Sequence, residues 1–132
     1  MSSLPFPPSG RPANVMSKLP KRGEIWLLDW SPSRGSEQAG FRPALIIQTD
    51  AANSNPGYPN TIVLAVSTKG KPVPFHVALE PNRRSGLTEA SFAKCEQVLT
   101  VAKERLVRKL GSIGEGELQQ INRAVRLVLE VG

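Results

Sequence analysis

Short apolar runs, separated by polar segments with proline or glycine, dominate the chain from Lys21 onward. The run at 24–30, EIWLLDW, mixes apolar and acidic positions and stops at Ser31-Pro32, which predicts a strand followed by a turn. A short apolar run at 44–48 predicts a second strand. The run TIVLAVS at 61–67 predicts a third, and its continuous apolar sequence indicates burial on both faces.

The middle of the chain continues this alternation of strands and loops. Residues 75–79 predict a fourth strand, and 91–101 predict one long strand or two short ones. The polar segments between the strands are predicted loops or turns, at 53–60, 69–74 and 81–86. Strands that recur every 10 to 15 residues or so, with no helix between them, predict a small antiparallel β-barrel rather than a βαβ fold.

The C-terminal part has helical periodicity. Residues 103–110 predict one or two helical turns that Gly111 ends. Residues 115–129 predict an amphipathic helix whose apolar stripe faces the core, formed by Leu118, Ile121, Val125 and Val128. The fold class is therefore mainly β, a small barrel of antiparallel strands with a C-terminal helix.

Composition divides the 132 residues into two parts and narrows the partners. Residues 1–20 are rich in proline and serine and predict a flexible tail, whereas 21–132 predict one folded domain. A formal net charge of +6 favours nucleic acid or another anionic partner. No apolar run approaches the length of about 18 residues that a membrane span needs. With no signal-peptide order near the start, a cytoplasmic protein without membrane contact is expected.

The chain has few residues that could take part in metal or thiol chemistry. One cysteine, Cys95, excludes an intramolecular disulfide and a cysteine-cluster metal site, and the presence of one histidine argues against a zinc site. No metal or other cofactor is expected. Cys95 itself, in an apolar stretch, is interpreted as a small buried side chain rather than a nucleophile.

Arg42 is the first candidate for chemistry. It stands between a polar loop flanked by Gly35 and Gly40 and the strand that follows Pro43. A residue before proline is held extended, and a guanidinium can contact two phosphate oxygens while it stays charged. The alternative is a surface arginine paired with an acidic neighbour.

Hydroxyl groups follow the third strand, and one histidine lies in the fourth. Ser67 and Thr68 can hold a phosphate oxygen, or they can simply satisfy backbone groups at the strand end. Lys69 and Lys71 add positive charge just beyond them. Histidine is the residue type whose unperturbed pKa lies near neutrality, so His76 is an obvious candidate for a general base, although a lone strand histidine is more often structural.

Three segments together carry a family resemblance. The segments 22–27 (RGEIWL), 35–46 (GSEQAGFRPALI) and 97–101 (QVLTV) occur in the order and at the spacings of MazF/PemK toxins. The chain resembles that family from Lys21 to about Leu129. The resemblance implies a partly open SH3-like barrel, a homodimer, and a type II toxin–antitoxin endoribonuclease that cleaves single-stranded RNA without a metal. It also implies a cognate antitoxin that occupies the RNA groove.

The same resemblance assigns site residues. The family's catalytic arginine matches Arg42, and its catalytic threonine aligns with Ser67, which keeps the hydroxyl, while Thr68 takes the role if the strand end is shifted. Substrate contacts fall to the residues that match the family's two loops and groove, namely Glu37, Gln38, Phe41, Lys69, Lys71 and Gln97.

The implied reaction is attack of the ribose 2′-oxygen on the adjacent phosphorus, which leaves a 2′,3′-cyclic phosphate and a 5′-hydroxyl. Arg42 suits charge stabilisation rather than the role of base, because a guanidinium stays protonated in proteins and accepts no proton. The base stays open among Glu37, the substrate's own phosphate and His76. Two other functions are consistent with the same fold: a non-enzymatic toxin that binds a protein target such as DNA gyrase, and a catalytically weak RNA-binding relative.

Overall fold

The computed structural model describes residues 19–30 and 40–132 of the chain. Its main body is a six-stranded antiparallel sheet, followed by a C-terminal helix. The strands are β1 (Glu24–Asp29), β2 (Phe41–Ile46), β3 (Asn60–Ser67), β4 (His76–Leu79), β5 (Ser91–Ala102) and β6 (Leu106–Ser112). A four-residue helix, α1 (Asp50–Asn53), lies between β2 and β3, and α2 (Glu115–Leu129) follows β6. The mainly β class with a C-terminal helix is confirmed.

The sheet curls but does not close. Its strand order is β4-β5-β3-β2-β1-β6, so that β4 and β6 are its two edges. Near these edges, the turn after β4 approaches the end of β6: the Ser112 amide donates to the carbonyl oxygen of Arg84 at 2.9 Å. Gly86 has a φ of +71°, and a Cβ there would lie 1.9 Å from the carbonyl oxygen of Leu110. Only glycine allows this approach.

Both faces of the central strands are buried, as the continuous apolar run predicted for β3. On one face, Leu64 and Val66 join a cluster with residues of α2. On the other face, Val63 packs in a second cluster, whose remaining buried members are Trp26, Leu28, Ala44, Ile46 and Leu106. This two-sided packing holds β1, β2 and β3 rigidly side by side.

A register shift interrupts β5, which is one long strand rather than two. Leu64 of β3 faces Val98, whereas the next residue, Ala65, faces Lys94. The intervening residues 95–97 therefore form an irregularity of the bulge type. Bulges of this kind re-aim side chains, and here they include Glu96 and Gln97, which are exposed.

The helix α2 begins and ends where the periodicity predicts, at Glu115 and Leu129. Ile121 and Ala124 are buried against the sheet, and Leu118 and Val125 pack beside them. At the N-terminus, the amide of Gly114 donates to Glu117 Oε1 at 2.9 Å. Leu118, Ile121 and Val125 of the predicted stripe therefore serve the core, together with Ala124, whereas Val128 is only partly buried.

The helical prediction for 103–110 is wrong. Only Lys103–Arg105 form a short 3₁₀ turn, and Leu106–Ser112 form strand β6. The reason is pairing with β1: Leu106 lies opposite Leu28, and Arg108 opposite Leu27. Leu106 is fully buried in this position. Burial and ladder hydrogen bonds outweigh the local helix propensity of this segment.

Several sequence predictions fall on residues outside the described ranges. These are the tail up to residue 18, the turn at Ser31-Pro32, and the loop residues Glu37 and Gln38. Pro20, at the end of the predicted tail, is fully buried. Within the two described ranges, no helix is long and apolar enough to cross a membrane.

Candidate active site

A groove with a volume of about 500 Å³ lies over the ends of β1, β2 and β3 and the bulge of β5. We call it the Arg42 groove. Its described lining combines charged, amide, hydroxyl and apolar groups from Trp30, Arg42, Ala65, Val66, Ser67, Lys94, Glu96, Gln97, Val98 and Leu99. Two cations and one carboxylate among these residues give this part of the surface a net positive charge.

Arg42 and Ser67 lie near the ends of two paired strands, β2 and β3. In the β2–β3 ladder, Ala44 lies opposite Ala65 and Leu45 opposite Leu64. Continued by two residues, this register brings Arg42 opposite Ser67, and both residues line the groove. The lining thus contains a permanent cation and a hydroxyl group, which together are suited to binding one phosphoryl group.

Trp30 fixes the position of Arg42. Its indole Nε1 donates to the carbonyl oxygen of Arg42 at 3.2 Å. The guanidinium carbon of Arg42 lies 5.2 Å from the centroid of the indole ring, within cation–π range. The exposed arginine is therefore oriented by a neighbouring ring.

Ser67 and Thr68 have different environments. Ser67 lines the groove, and its Oγ accepts from the amide of Lys69 at 3.0 Å. This bond turns the chain out of β3 and leaves the hydroxyl proton of Ser67 available for donation. Thr68 is exposed and lies outside the described groove lining.

The bulge of β5 adds Glu96 and Gln97 to the groove. Glu96 Oε2 lies 2.9 Å from His76 Nε2. Partial burial by itself raises the pKa of Glu96, but hydrogen bonds from His76 and from its own amide, together with the electrostatic effects of His76 and Lys94, lower that pKa on balance. The carboxylate is therefore ionised at neutral pH.

Both ring nitrogens of His76 are engaged. The amide of Lys71 donates to Nδ1 at 3.0 Å, and Nε2 contacts Glu96. Because an amide only donates, Nδ1 carries no proton and Nε2 does. The imidazole then has no lone pair left for a substrate proton, which favours the structural interpretation of this histidine.

The remaining predicted substrate residues lie around the groove. Gln97 lines it, whereas Phe41, Lys69 and Lys71 are exposed outside the described lining. Glu37 and Gln38 lie outside the residues that the structure describes. Among the lining residues with charged or aromatic side chains, the sequence analysis missed Trp30, Lys94 and Glu96. Alternation along β5 carries a signal for two of them, because Lys94 and Glu96 alternate with the buried Ala93 and Cys95.

Two findings concern possible metal ligands among the described residues and the thiol of Cys95. In the part of the chain that the structure describes, no three His, Cys, Asp or Glu side chains form a group that could hold a metal ion. Cys95 is fully buried. Burial, followed by the charge of Glu96, raises the pKa of the Cys95 thiol to about 11.

The sequence and the fold were compared with those of known proteins. A model of the PemK-like, MazF-like toxins of type II toxin–antitoxin systems matches residues 21–129. The chain belongs to this family. Endoribonuclease MazF9 of Mycobacterium tuberculosis is 36% identical over 115 residues, which cover 84% of this chain and 97% of that protein. Endoribonuclease MazF of Staphylococcus saprophyticus is 36% identical over 113 residues, which cover 83% and 90% of the two chains. The resemblance to MazF/PemK toxins is confirmed.

Solved structures of similar proteins support the fold of this toxin. A MazE–MazF crystal structure from Deinococcus radiodurans has a TM-score of 0.71 at 21% identity and covers 86% of this chain and 99% of its own. A mycobacterial endoribonuclease in complex with its cognate antitoxin has a TM-score of 0.69 at 23% identity and covers 86% and 97%. The open six-stranded sheet with a C-terminal helix is therefore shared with MazF toxins.

Proposed function

We propose that this PemK/MazF-family toxin is a metal-independent endoribonuclease that cleaves single-stranded RNA. The observation that carries the proposal is the placement of Arg42 and Ser67 on neighbouring strand ends of one groove. The curated relatives at 36% identity, which are named endoribonucleases, support the same activity. A poison that only binds a protein would require neither a fixed cation nor a hydroxyl beside it.

The proposed reaction is a transesterification. The ribose 2′-oxygen loses its proton and forms a bond to phosphorus, while the bond from phosphorus to the 5′-oxygen breaks and that oxygen gains a proton. The products are a 2′,3′-cyclic phosphate and a 5′-hydroxyl. Negative charge builds up on the non-bridging oxygens, where a positioned cation and hydroxyl donor stabilise the transition state.

Each residue has a limited role in this scheme. Arg42 stabilises the phosphoryl oxygens and can donate toward the leaving oxygen, but a guanidinium has no acceptor atom for the 2′ proton. Ser67 donates to a phosphoryl oxygen, and its groove position favours it over Thr68 for this role. Glu37 and the substrate's own phosphate are the proton acceptors we consider, since both nitrogens of His76 are engaged.

Substrate binding relies on the mixed lining of the groove. Lys94 adds a second cation for the backbone, and Gln97 presents an amide to base edges. Val98 and Leu99, each 36% exposed, provide apolar surface that unstacked bases can cover. Lys69 and Lys71, with Phe41 and the loop residues Glu37 and Gln38, extend these contacts beyond the described lining.

The partners follow from the family. An antitoxin that covers the Arg42 groove would block RNA entry, and the similar proteins solved with their antitoxins support such a partner. We further propose a homodimer that acts in the cytoplasm, where its RNA substrate is found. No metal or other cofactor takes part.

A direct test is incubation of the purified toxin with a long RNA in EDTA, followed by identification of the new ends. We expect cleavage at defined sites, with 5′-hydroxyl and 2′,3′-cyclic phosphate ends. Intact RNA would refute the nuclease proposal, and inhibition of DNA gyrase in its place would favour the protein-binding alternative. RNA that is bound but uncut would favour the catalytically weak relative.

A further inference from the structure

The carboxylate of Glu96 in the Arg42 groove is unusual because the expected ligand is anionic. The cations Arg42 and Lys94 of the same lining attract phosphate, whereas a carboxylate repels it. A negative side chain in such a groove lowers affinity for the RNA backbone. Its presence is explained if it contacts another part of the RNA.

Two successive hydrogen bonds, from Lys71 to His76 and from His76 to Glu96, hold Glu96 in place. The amide of Lys71 donates to His76 Nδ1 at 3.0 Å, and His76 Nε2 lies 2.9 Å from Glu96 Oε2. The first bond fixes the tautomer, because a ring that accepts at Nδ1 carries its proton at Nε2. The imidazole therefore donates to Glu96 and orients the carboxylate.

His76, which supports Glu96, is almost completely buried, whereas Glu96 itself is accessible to a ligand. The imidazole side chain is 5% exposed, whereas the Glu96 side chain is 35% exposed. The ring of Phe75 lies edge-on to His76, with centroids 5.4 Å apart, and limits rotation of the imidazole. A carboxylate has about four acceptor positions, so that the bond from His76 leaves capacity for a ligand.

We propose that Glu96 selects the base at one position of the RNA by accepting a hydrogen bond from an exocyclic amino group, and that His76 is its positioning residue. Adenine, cytosine and guanine carry such a group on their pairing edge. Uracil offers only one N–H between two carbonyl oxygens, which repel a carboxylate. Uracil is therefore disfavoured at this position. The inference rests on the proposed RNA-cleaving function of the groove.

The test is cleavage-site mapping on a randomised RNA, with Glu96→Gln and His76→Phe compared with the unmodified toxin. We expect uracil to be depleted about fivefold or more at one position for the unmodified toxin, which corresponds to the loss of one good base contact. Glu96→Gln should remove that depletion, because an amide both donates and accepts. His76→Phe should weaken the depletion, and His76→Gln, which restores a donor, should recover part of it.

Glu80→Gln is the matched control, because Glu80 is exposed just after β4 and outside the groove lining. It should retain the pattern of the unmodified toxin. If His76→Phe fails to fold, Glu96→Gln alone decides the role of the carboxylate, and His76→Gln decides that of the histidine. A pattern without a uracil-depleted position, or one that Glu96→Gln leaves unchanged, would overturn the inference.

The same randomised pool, made with 2′-deoxy nucleotides that cannot be cleaved, separates this inference from the proposed function. Bound molecules are recovered and sequenced. If the toxin cuts no RNA but still selects against uracil in a manner that depends on Glu96, the nuclease proposal fails and the inference stands. If RNA is cut but the base preference does not depend on Glu96, the inference fails and the nuclease proposal stands.

Discussion

The indole of Trp30 contacts Arg42 at two points. Its Nε1 donates to the arginine's carbonyl oxygen at 3.2 Å, and its ring lies 5.2 Å from the guanidinium carbon. One contact fixes the backbone at the start of β2, and the other restricts the side chain. An exposed arginine that is restricted in this way loses less conformational entropy when it engages a phosphate.

We expect Trp30→Leu to slow the chemical step about threefold to tenfold, which corresponds to the loss of one cation–π contact with its hydrogen bond. Trp30→Phe keeps a ring and should have a smaller effect. Single-turnover RNA cleavage at saturating toxin measures this step. Trp26→Phe is the control, because Trp26 is buried and its Nε1 bonds Glu24 at 2.9 Å. An unchanged rate in Trp30→Leu would show that the indole does not position Arg42.

Lys103 supports the segment that connects β2 to β3. Its Nζ donates to the carbonyl oxygens of Ala52, Asn53 and Asn55 at 3.2, 3.0 and 3.1 Å, while burial lowers its pKa. Lys103→Met should lower the free energy of unfolding by about 2–4 kcal/mol, because the three carbonyl groups lose their charged donor.

Urea unfolding tests the role of Lys103, with Lys109→Met as the control. Lys109 is half-exposed and pairs with Glu24 at 3.1 Å, so that its loss should cost less than about 1 kcal/mol. Equal losses of unfolding free energy in the two variants would show that Lys103 does not stabilise the connection between β2 and β3.

Cys95 should make stability depend on pH in the alkaline range. Its pKa is raised from 9.0 to about 11 in the folded chain. Between these values the unfolded thiol ionises while the folded thiol stays protonated, so the unfolded state binds fewer protons and stability falls as pH rises. The stability of the unmodified toxin relative to Cys95→Ala should fall by roughly 1 kcal/mol between pH 8 and pH 10.

Urea unfolding of both proteins across this range measures the effect of Cys95. The Cys95→Ala reference removes the contribution of other groups that titrate near pH 10. A stability difference that stays constant with pH would show that the thiol is not shielded as described.

Local sequence predicts the elements whose signal lies within a single window. The apolar run of β3 and the spacing of Leu118, Ile121 and Val125 in α2 are signals of this kind. Strand β6 is different, because its local residues favour a helix and only pairing with β1 makes it a strand. The curl of the sheet and the approach of Gly86 to β6 likewise depend on contacts between distant segments.

The site residues also divide into those that local sequence predicts and those whose placement depends on contacts between distant segments. Arg42 is predictable, because proline, glycine and the following strand are its immediate neighbours. The contact between Trp30 and Arg42 depends on the pairing of β1 with β2. The pair His76 and Glu96 depends on the bulge in β5 and on the tautomer that Lys71 fixes. Neither relationship has a signature in the spacing of residues along the chain.

The most direct test of the central claim is the single-turnover rate of RNA cleavage by Arg42→Ala in EDTA. Removal of a charge-stabilising group of this kind costs about 2.7–4 kcal/mol, so we predict a loss of about a hundredfold or more. Arg126→Ala, at an exposed position in the last turn of α2, should retain the rate of the unmodified toxin. A rate for Arg42→Ala within about threefold of the unmodified toxin would contradict the assignment of Arg42 to the chemistry.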